Sequence, residues 1–307
     1  MNTLPNFEYS AILTCYNSQE TIVRAVESIF SQTLLPVEIL IVDDCSSDDS
    51  LTRIKQLSSS RMPIRLIQNT SNMGQSWSRN HAILKAKTNF AIIFDDDYFS
   101  FPERAAEHMR MFRQGATLNF VSSRKIYSNG HKVDLINPDL IIKELPPRKA
   151  LLHTLTGERI KGFDLVAIPA STSAISIKEF LAIGGYDEEL RRLEDADLFI
   201  RFSENRYSFA WSSRLLVSRF ATFGGQKGGS IETDFELEIL NKFRNVLTSR
   251  EFIYAKNLIE IRSSYFKKSY FTLMKMILTN PSKMLIFLVK WKSAMRRILH
   301  DVRISDK

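Results

Sequence analysis

The chain has 307 residues, 44% of them hydrophobic and 25% charged, the composition of a globular protein with a sizeable core to bury. Two cysteines, Cys15 and Cys45, give no disulfide framework, and no apolar run approaches the roughly 18 residues of a membrane-spanning helix. The net charge of +8 is uneven: residues 241–307 hold 15 Lys and Arg against 4 Asp and Glu, so residues 1–240 are slightly acidic. A body of that charge does not ask for a polyanion, and no nucleic-acid partner is expected. The opening MNTLPNFEYS lacks a basic stretch followed by an apolar one, so no secretory leader is expected and a cytoplasmic location is.

Ser10 to Thr14 reads as a short buried strand, followed by a polar turn at Tyr16-Asn17-Ser18. From Glu20 to Ser31, Ile22, Val23, Val26, Ile29 and Phe30 recur at helical spacing. Val37 to Val42 is a second strand ending in DDCSSDDS, a cluster of helix-capping and turn residues. A helix over Leu51 to Leu57, a strand over Ile64 to Gln68 and a helix over Gln75 to Ala86 follow. Phe90 to Phe94 is a fourth strand, and it delivers Asp95, Asp96 and Asp97 to one place. Adjacent carboxylates repel unless a cation or hydrogen-bond donors meet them.

Continuously apolar strands alternating with helices predict a parallel sheet covered on both faces, with ligands beyond the carboxyl ends of the strands. Thr14 to Asn17, Asp43-Asp44 and the triple Asp all fall at those ends. Residues 120–180 are less regular and hold Pro138, Pro146, Pro147 and Pro169, with a possible returning strand from Ser171 to Ile177. GGYDEE is a turn, a helix runs from Leu193 to Phe202, and FGGQKGGS is a glycine-rich loop. In the tail, Met284, Phe287, Leu288, Trp291, Met295, Ile298 and Leu299 share one face of a helix with Lys and Arg on its sides. Such a helix suits either an anionic membrane surface or docking on a protein.

The stretches YSAILTCYNSQETIVRAVESIFSQT, VEILIVDDCSSDDS, NTSNMGQSWSRNHAILKAKTNFAIIFDDDYF and GGYDEELRRLEDADLFIRF resemble, in order, the blocks of a family 2 glycosyltransferase with the GT-A fold. The resemblance runs from about Tyr9 to Phe202. It implies a Rossmann-like, mostly parallel α/β sheet, with a catalytic domain over 1–235 and a helical C-terminal extension over 236–307. It further implies an inverting, metal-dependent transfer of one sugar from a nucleotide donor, most simply a UDP-sugar, to a glycan or lipid-linked glycan of a surface polysaccharide.

On this resemblance Thr14, Tyr16 and Asp44 meet the nucleotide base, with Asp43 supporting that loop and Asn17 and Glu20 belonging to it. Arg79 is assigned to the base and diphosphate, Asp96 to the ribose, and Asp97 with Asp95 to Mg2+ or Mn2+. Asp195 is the expected base for the acceptor hydroxyl, with Glu194 holding the acceptor or sharing that role and Asp197 as the fallback. The chain departs from the family pattern in having no His in SRFATFGGQKGGS, where the family completes its metal site, and Tyr98 at the fourth acidic position. A nucleotidyltransferase and a non-catalytic sugar-nucleotide binder are the competing readings. The former wants a glycine-rich basic phosphate loop that LTCYNSQE does not provide.

Overall fold

The computed structural model describes residues 7–58, 64–127, 129–157, 168–220, 230–267 and 269. They form two units, one of residues 1–146 with 160–222 and the other of 147–159 with 223–307.

The first unit begins with the expected alternation: β1 (Tyr9–Cys15), α1 (Ile22–Phe30), β2 (Glu38–Asp43), α2 (Ser50–Ser58), β3 (Ile64–Gln68), α3 (Gln75–Leu84) and β4 (Phe90–Asp95). Every residue of β1 and β2 is buried, because helices cover both faces of the sheet there. On α1, Ile22, Ala25, Val26 and Ile29 close onto the sheet at 0–1% exposure. Each large apolar side chain buried this way contributes roughly 1.5–3 kcal/mol.

Beyond β4 come β5 (Tyr98–Ser100), α4 (Arg104–Arg113), β6 (Leu118–Ile126), β7 (Lys132–Leu135) and β8 (Leu140–Ile142). After α5 (Pro147–Thr156), which belongs to the other unit, follow β9 (Ser173–Ser176), α6 (Ile177–Ala182), α7 (Glu194–Glu204) and β10 (Phe209–Phe220). The sheet order is β3-β2-β1-β4-β9-β6-β10-β5, with β7 on β6 and β8 on β10. The first four strands are mutually parallel, and β10 is parallel to β6. β9, the strand expected near Ser171 to Ile177, runs antiparallel between β4 and β6.

β6 and β10 are two long strands in stretches that the sequence reading left without strand assignments. Buried Ser122 and Ser123 interrupt the apolar pattern of β6, and Ser122 Oγ donates to Ser212 O at 2.8 Å. In β10 the register shifts on either side of Leu215, which breaks the strand period. Trp211 on β10 is 1% exposed and packs among Phe120, Phe199 and Phe209.

In the second unit α5 joins α8 (Ser230–Lys242) and α9 (Ser249–Phe266). Arg148 pairs with Glu251, and Arg262 donates to Glu236 and to Leu155 O, each at 2.7 Å. The boundary drawn at 235 from the sequence falls inside α8. The glycine loop from Gly224 to Gly229 and the basic amphipathic helix over 284–299 lie outside the described residues.

Candidate active site

The carboxyl ends of β1, β2 and β4 are adjacent in the sheet, so the loops that leave them meet. The first two loops are stitched together. Asn17, at φ 50°, donates its N–H to Ser46 Oγ at 3.0 Å and accepts from Ser47 N at 2.8 Å. Ser18 N donates to Ser50 Oγ at 2.7 Å. Asn17 therefore ties the first loop to the second, while Tyr16 is 50% exposed and Thr14 is buried. Glu20 is exposed, two residues ahead of α1.

The two aspartates after β2 are engaged as framework. Asp43 accepts from Ser46 N at 3.3 Å and from the Cys15 thiol. Asp44 accepts from Asn69 Nδ2, Met73 N and Gly74 N at 2.7–2.9 Å. Its carboxylate thus holds the loop that leads into α3.

At the end of β4 the three aspartates separate into three environments. Asp95 Oδ1 accepts from Arg79 at 2.8 Å. Asp96 accepts from Ser18 Oγ and, at 3.4 Å, from Tyr16 N, so it faces the first loop. Burial, with the charges of Asp97 and Asp95, pushes the Asp96 carboxyl up to about 6 against the opposing bond from Ser18. Asp97 Oδ2 lies 3.5 Å from Arg219 Nε.

Arg79, the residue expected near the base and diphosphate, is held by two carboxylates. It is 1% exposed, and its two terminal nitrogens bridge Asp95 at 2.8 Å and Glu194 at 2.9 Å. Burial opposes its charge, but Asp95 and Glu194 outweigh it and keep the guanidinium protonated. The bridge ties the carboxyl end of β4 to the start of α7.

There Leu193 takes a left-handed conformation at φ 62°, a strain of order 1 kcal/mol that turns the chain so that Glu194 and Asp195 open the helix. Asp195 is enclosed by protein with one edge reaching solvent, and it accepts from Ala196 N at 2.8 Å. Burial first, and then the Glu194 charge, raise its carboxyl to about 7. Asp197 is fully buried against Arg201 and is not available as a base.

The preceding turn is clamped by Asn80, which donates to Tyr186 O and Glu188 and accepts from Tyr186 N, all at 2.8 Å. Gly185 is required here: its φ is +74°, and a Cβ would sit 2.7 Å from Asn80 Oδ1. Between Met73–Ser76 and Glu188–Arg191 opens a cavity of about 260 Å³ that Glu194 also lines.

Mg2+ and Mn2+ are held by one or two carboxylates, with waters and phosphate oxygens completing the shell. Asp95 and Asp97 suit such an ion on those terms. Among the described residues no group of three or more His, Cys, Asp or Glu side chains is placed to hold one unaided. Ser18, Asn80 and Arg219 were not singled out from the sequence. Ser18, beside Asn17, and Asn80, beside Arg79, had neighbours that could have drawn attention to them, and Arg219 had none.

Residues 10–162 match the sequence profile described as glycosyl transferase family 2. An uncharacterized glycosyltransferase of Haemophilus influenzae is 28% identical over 195 residues, 62% of this chain and 60% of that protein. The chain thus spans 60% of that relative's length. An Escherichia coli protein named UDP-Glc:alpha-D-GlcNAc-diphosphoundecaprenol beta-1,3-glucosyltransferase WfaP is 40% identical over 91 residues, 29% of this chain and 36% of that protein. Among solved structures, S. aureus TarS 1-349 in complex with UDP-GlcNAc superposes with a TM-score of 0.62 at 18% identity, over 84% of this chain and 73% of that one. The fold is therefore GT-A, and the chain belongs to glycosyl transferase family 2.

Proposed function

We propose that the chain transfers a single sugar, with inversion, from a nucleoside diphosphate sugar of the UDP class to a hydroxyl of a glycan or lipid-linked glycan during surface polysaccharide assembly. The observation that carries this reading is the Asp95–Arg79–Glu194 bridge with Asp195 beside it. It sets a carboxylate with a proton affinity near neutrality next to a nucleotide-type strand end. A base tuned in this way ionises at working pH and still accepts a proton strongly.

Asp195 takes the proton of the acceptor hydroxyl as its oxygen forms a bond to the anomeric carbon. The bond from that carbon to the diphosphate oxygen breaks on the opposite face, and the electron pair leaves with the nucleoside diphosphate. Glu194, paired with Arg79, orients the acceptor. Tyr16, beside the first loop, is the exposed ring against which the base of the donor packs. A divalent cation on Asp95 and Asp97 would supply positive charge to the departing diphosphate. WfaP supports the acceptor class, since its name specifies a lipid diphosphate acceptor, and TarS, which binds UDP-GlcNAc, supports the donor class. The basic tail would hold the protein at the anionic inner surface of the membrane.

The test is a thermal-shift panel of nucleotide sugars with and without Mn2+, followed by transfer to synthetic lipid-linked acceptors and assignment of the product anomer by NMR. One donor class that stabilises the fold and yields a product of inverted configuration is the expected result. Stabilisation by no donor, or a retained configuration, overturns the reading.

A further inference from the structure

Asp97 is not surrounded by carboxylates alone. The antiparallel pairing of β5 with β10 sets Arg219 opposite Tyr98, the residue after Asp97. Arg219 reaches Asp97 from there, with its guanidinium 5.5 Å from the centre of the Tyr98 ring. Its side chain is 31% exposed and that of Asp97 17%, so the pair sits at the mouth of the site and not in the core. A second guanidinium approaches from α1. Arg24 lies 4.1 Å over the ring of Phe220, feels the charge of Asp97, and has a buried Nε–H with no hydrogen-bond partner. A buried donor without a partner is costly to keep, so its retention at this place calls for an acceptor.

Charge balance indicates which acceptor. Four guanidiniums lie around the three carboxylates Asp95 to Asp97, but Arg79 is locked between Asp95 and Glu194, and Arg104 is buried on Ser100 and Ile93 O. Among the described residues, Arg219 lies against Asp97, and Arg24 feels its charge. When the glycosidic bond to the donor breaks, the diphosphate gains one negative charge beyond those a divalent cation met at the start. The chain has no His in Ser218 to Ser230 to add to the metal site. It has instead a fixed positive charge at the end of β10.

We propose that Arg219, backed by Arg24, is the protein's own grip on the donor diphosphate: Asp97 holds it until a divalent cation takes that carboxylate, and the guanidinium then bonds the phosphate oxygens. This rests on the reading of the chain as a nucleoside diphosphate sugar transferase. Two effects of opposite sign follow for Arg219→Ala. Manganese alone should bind Asp97 more tightly, because its competitor is gone. UDP in the presence of manganese should bind more weakly, because a charged hydrogen bond is lost.

Calorimetric titration of the full chain separates the cases, with MnCl2 alone, and with inorganic pyrophosphate or UDP at saturating Mn2+. For Arg219→Ala we expect roughly threefold tighter Mn2+ and roughly tenfold weaker UDP and pyrophosphate, the size of one charge-assisted bond. Arg219→Lys, which keeps the charge without the fork, should fall between, and Arg24→Ala should weaken pyrophosphate without tightening Mn2+ as much. Unchanged UDP and pyrophosphate affinity in Arg219→Ala overturns the proposal and leaves the transferase reading standing. So does a parallel loss of Mn2+ and UDP binding, which marks a scaffolding arginine. Pyrophosphate bound by wild type with UDP no tighter would keep the grip and sink the nucleotide reading. Wild type that binds neither would remove both.

Discussion

Asp195 combines a buried carboxyl, a neighbouring Glu194 and a partly open edge, and its chemistry follows from those three facts. Since its carboxyl is raised to about 7, the group is protonated below neutrality, and a base in the proposed transfer would be lost there. The kcat/KM for transfer should therefore rise about tenfold per pH unit below 7 and level off above it, in a pH–rate series at saturating metal. Asp195→Asn should lower kcat by a factor of about 10²–10⁴ while UDP affinity holds, measured by turnover and calorimetry side by side. The stability sign is equally fixed. A folded-state proton affinity above the ordinary carboxylate value means that the folded protein binds more protons than the unfolded one between about 4 and 7. That contribution is present at acid pH and lost as pH rises through 7, so Asp195→Asn should raise the melting temperature at pH 8 more than at pH 5.

At the scale of elements, α3 is the part that joins the two sides of the site. Arg79 and Asn80 are consecutive on it, one bridging β4 to α7 and the other clamping the turn before α7. Removing the arginine leaves two carboxylates without their common partner, in a place that is itself buried. Arg79→Met should cost roughly 3–5 kcal/mol in urea unfolding, and Arg79→Lys should recover little, because one ammonium cannot span both acids in the same geometry. Gly185→Ala meets both a left-handed φ of +74° and the Asn80 side chain at 2.7 Å, and should cost about 2 kcal/mol. An unchanged midpoint in either series would show that α3 does not carry the coupling described. Asp44, with three donors from the loop before α3, anchors the same helix from its other end.

For the molecule as a whole, charge and hydropathy set the expected surroundings. No helix among the described residues is long and apolar enough to cross a membrane. Residues 271–307 carry eight Lys and Arg against two Asp, a balance that anionic lipid headgroups attract by about 1 kcal/mol per basic side chain close to the surface. Deleting that segment should therefore abolish flotation with phosphatidylserine vesicles at low salt and leave UDP binding unchanged. Equal flotation of the full and shortened chains would rule out the tail as the membrane contact.

The order of strands and helices through Phe94 was legible in the sequence, because apolar runs of strand length and apolar spacing of helix length are local signals. So were the three aspartates at a strand end and the acidic pair at a helix start, since each is a contiguous motif. Tertiary structure decided the rest. Arg79 meets Glu194 across 115 positions, and nothing in either neighbourhood names the other. Arg219 reaches Asp97 only because β10, with its irregular register, returns along β6 and fastens β5 beside it. The sequence thus determined which groups arrive at the carboxyl edge of the sheet. Their burial and their partners depended on pairings between distant strands, which have no local pattern to announce them.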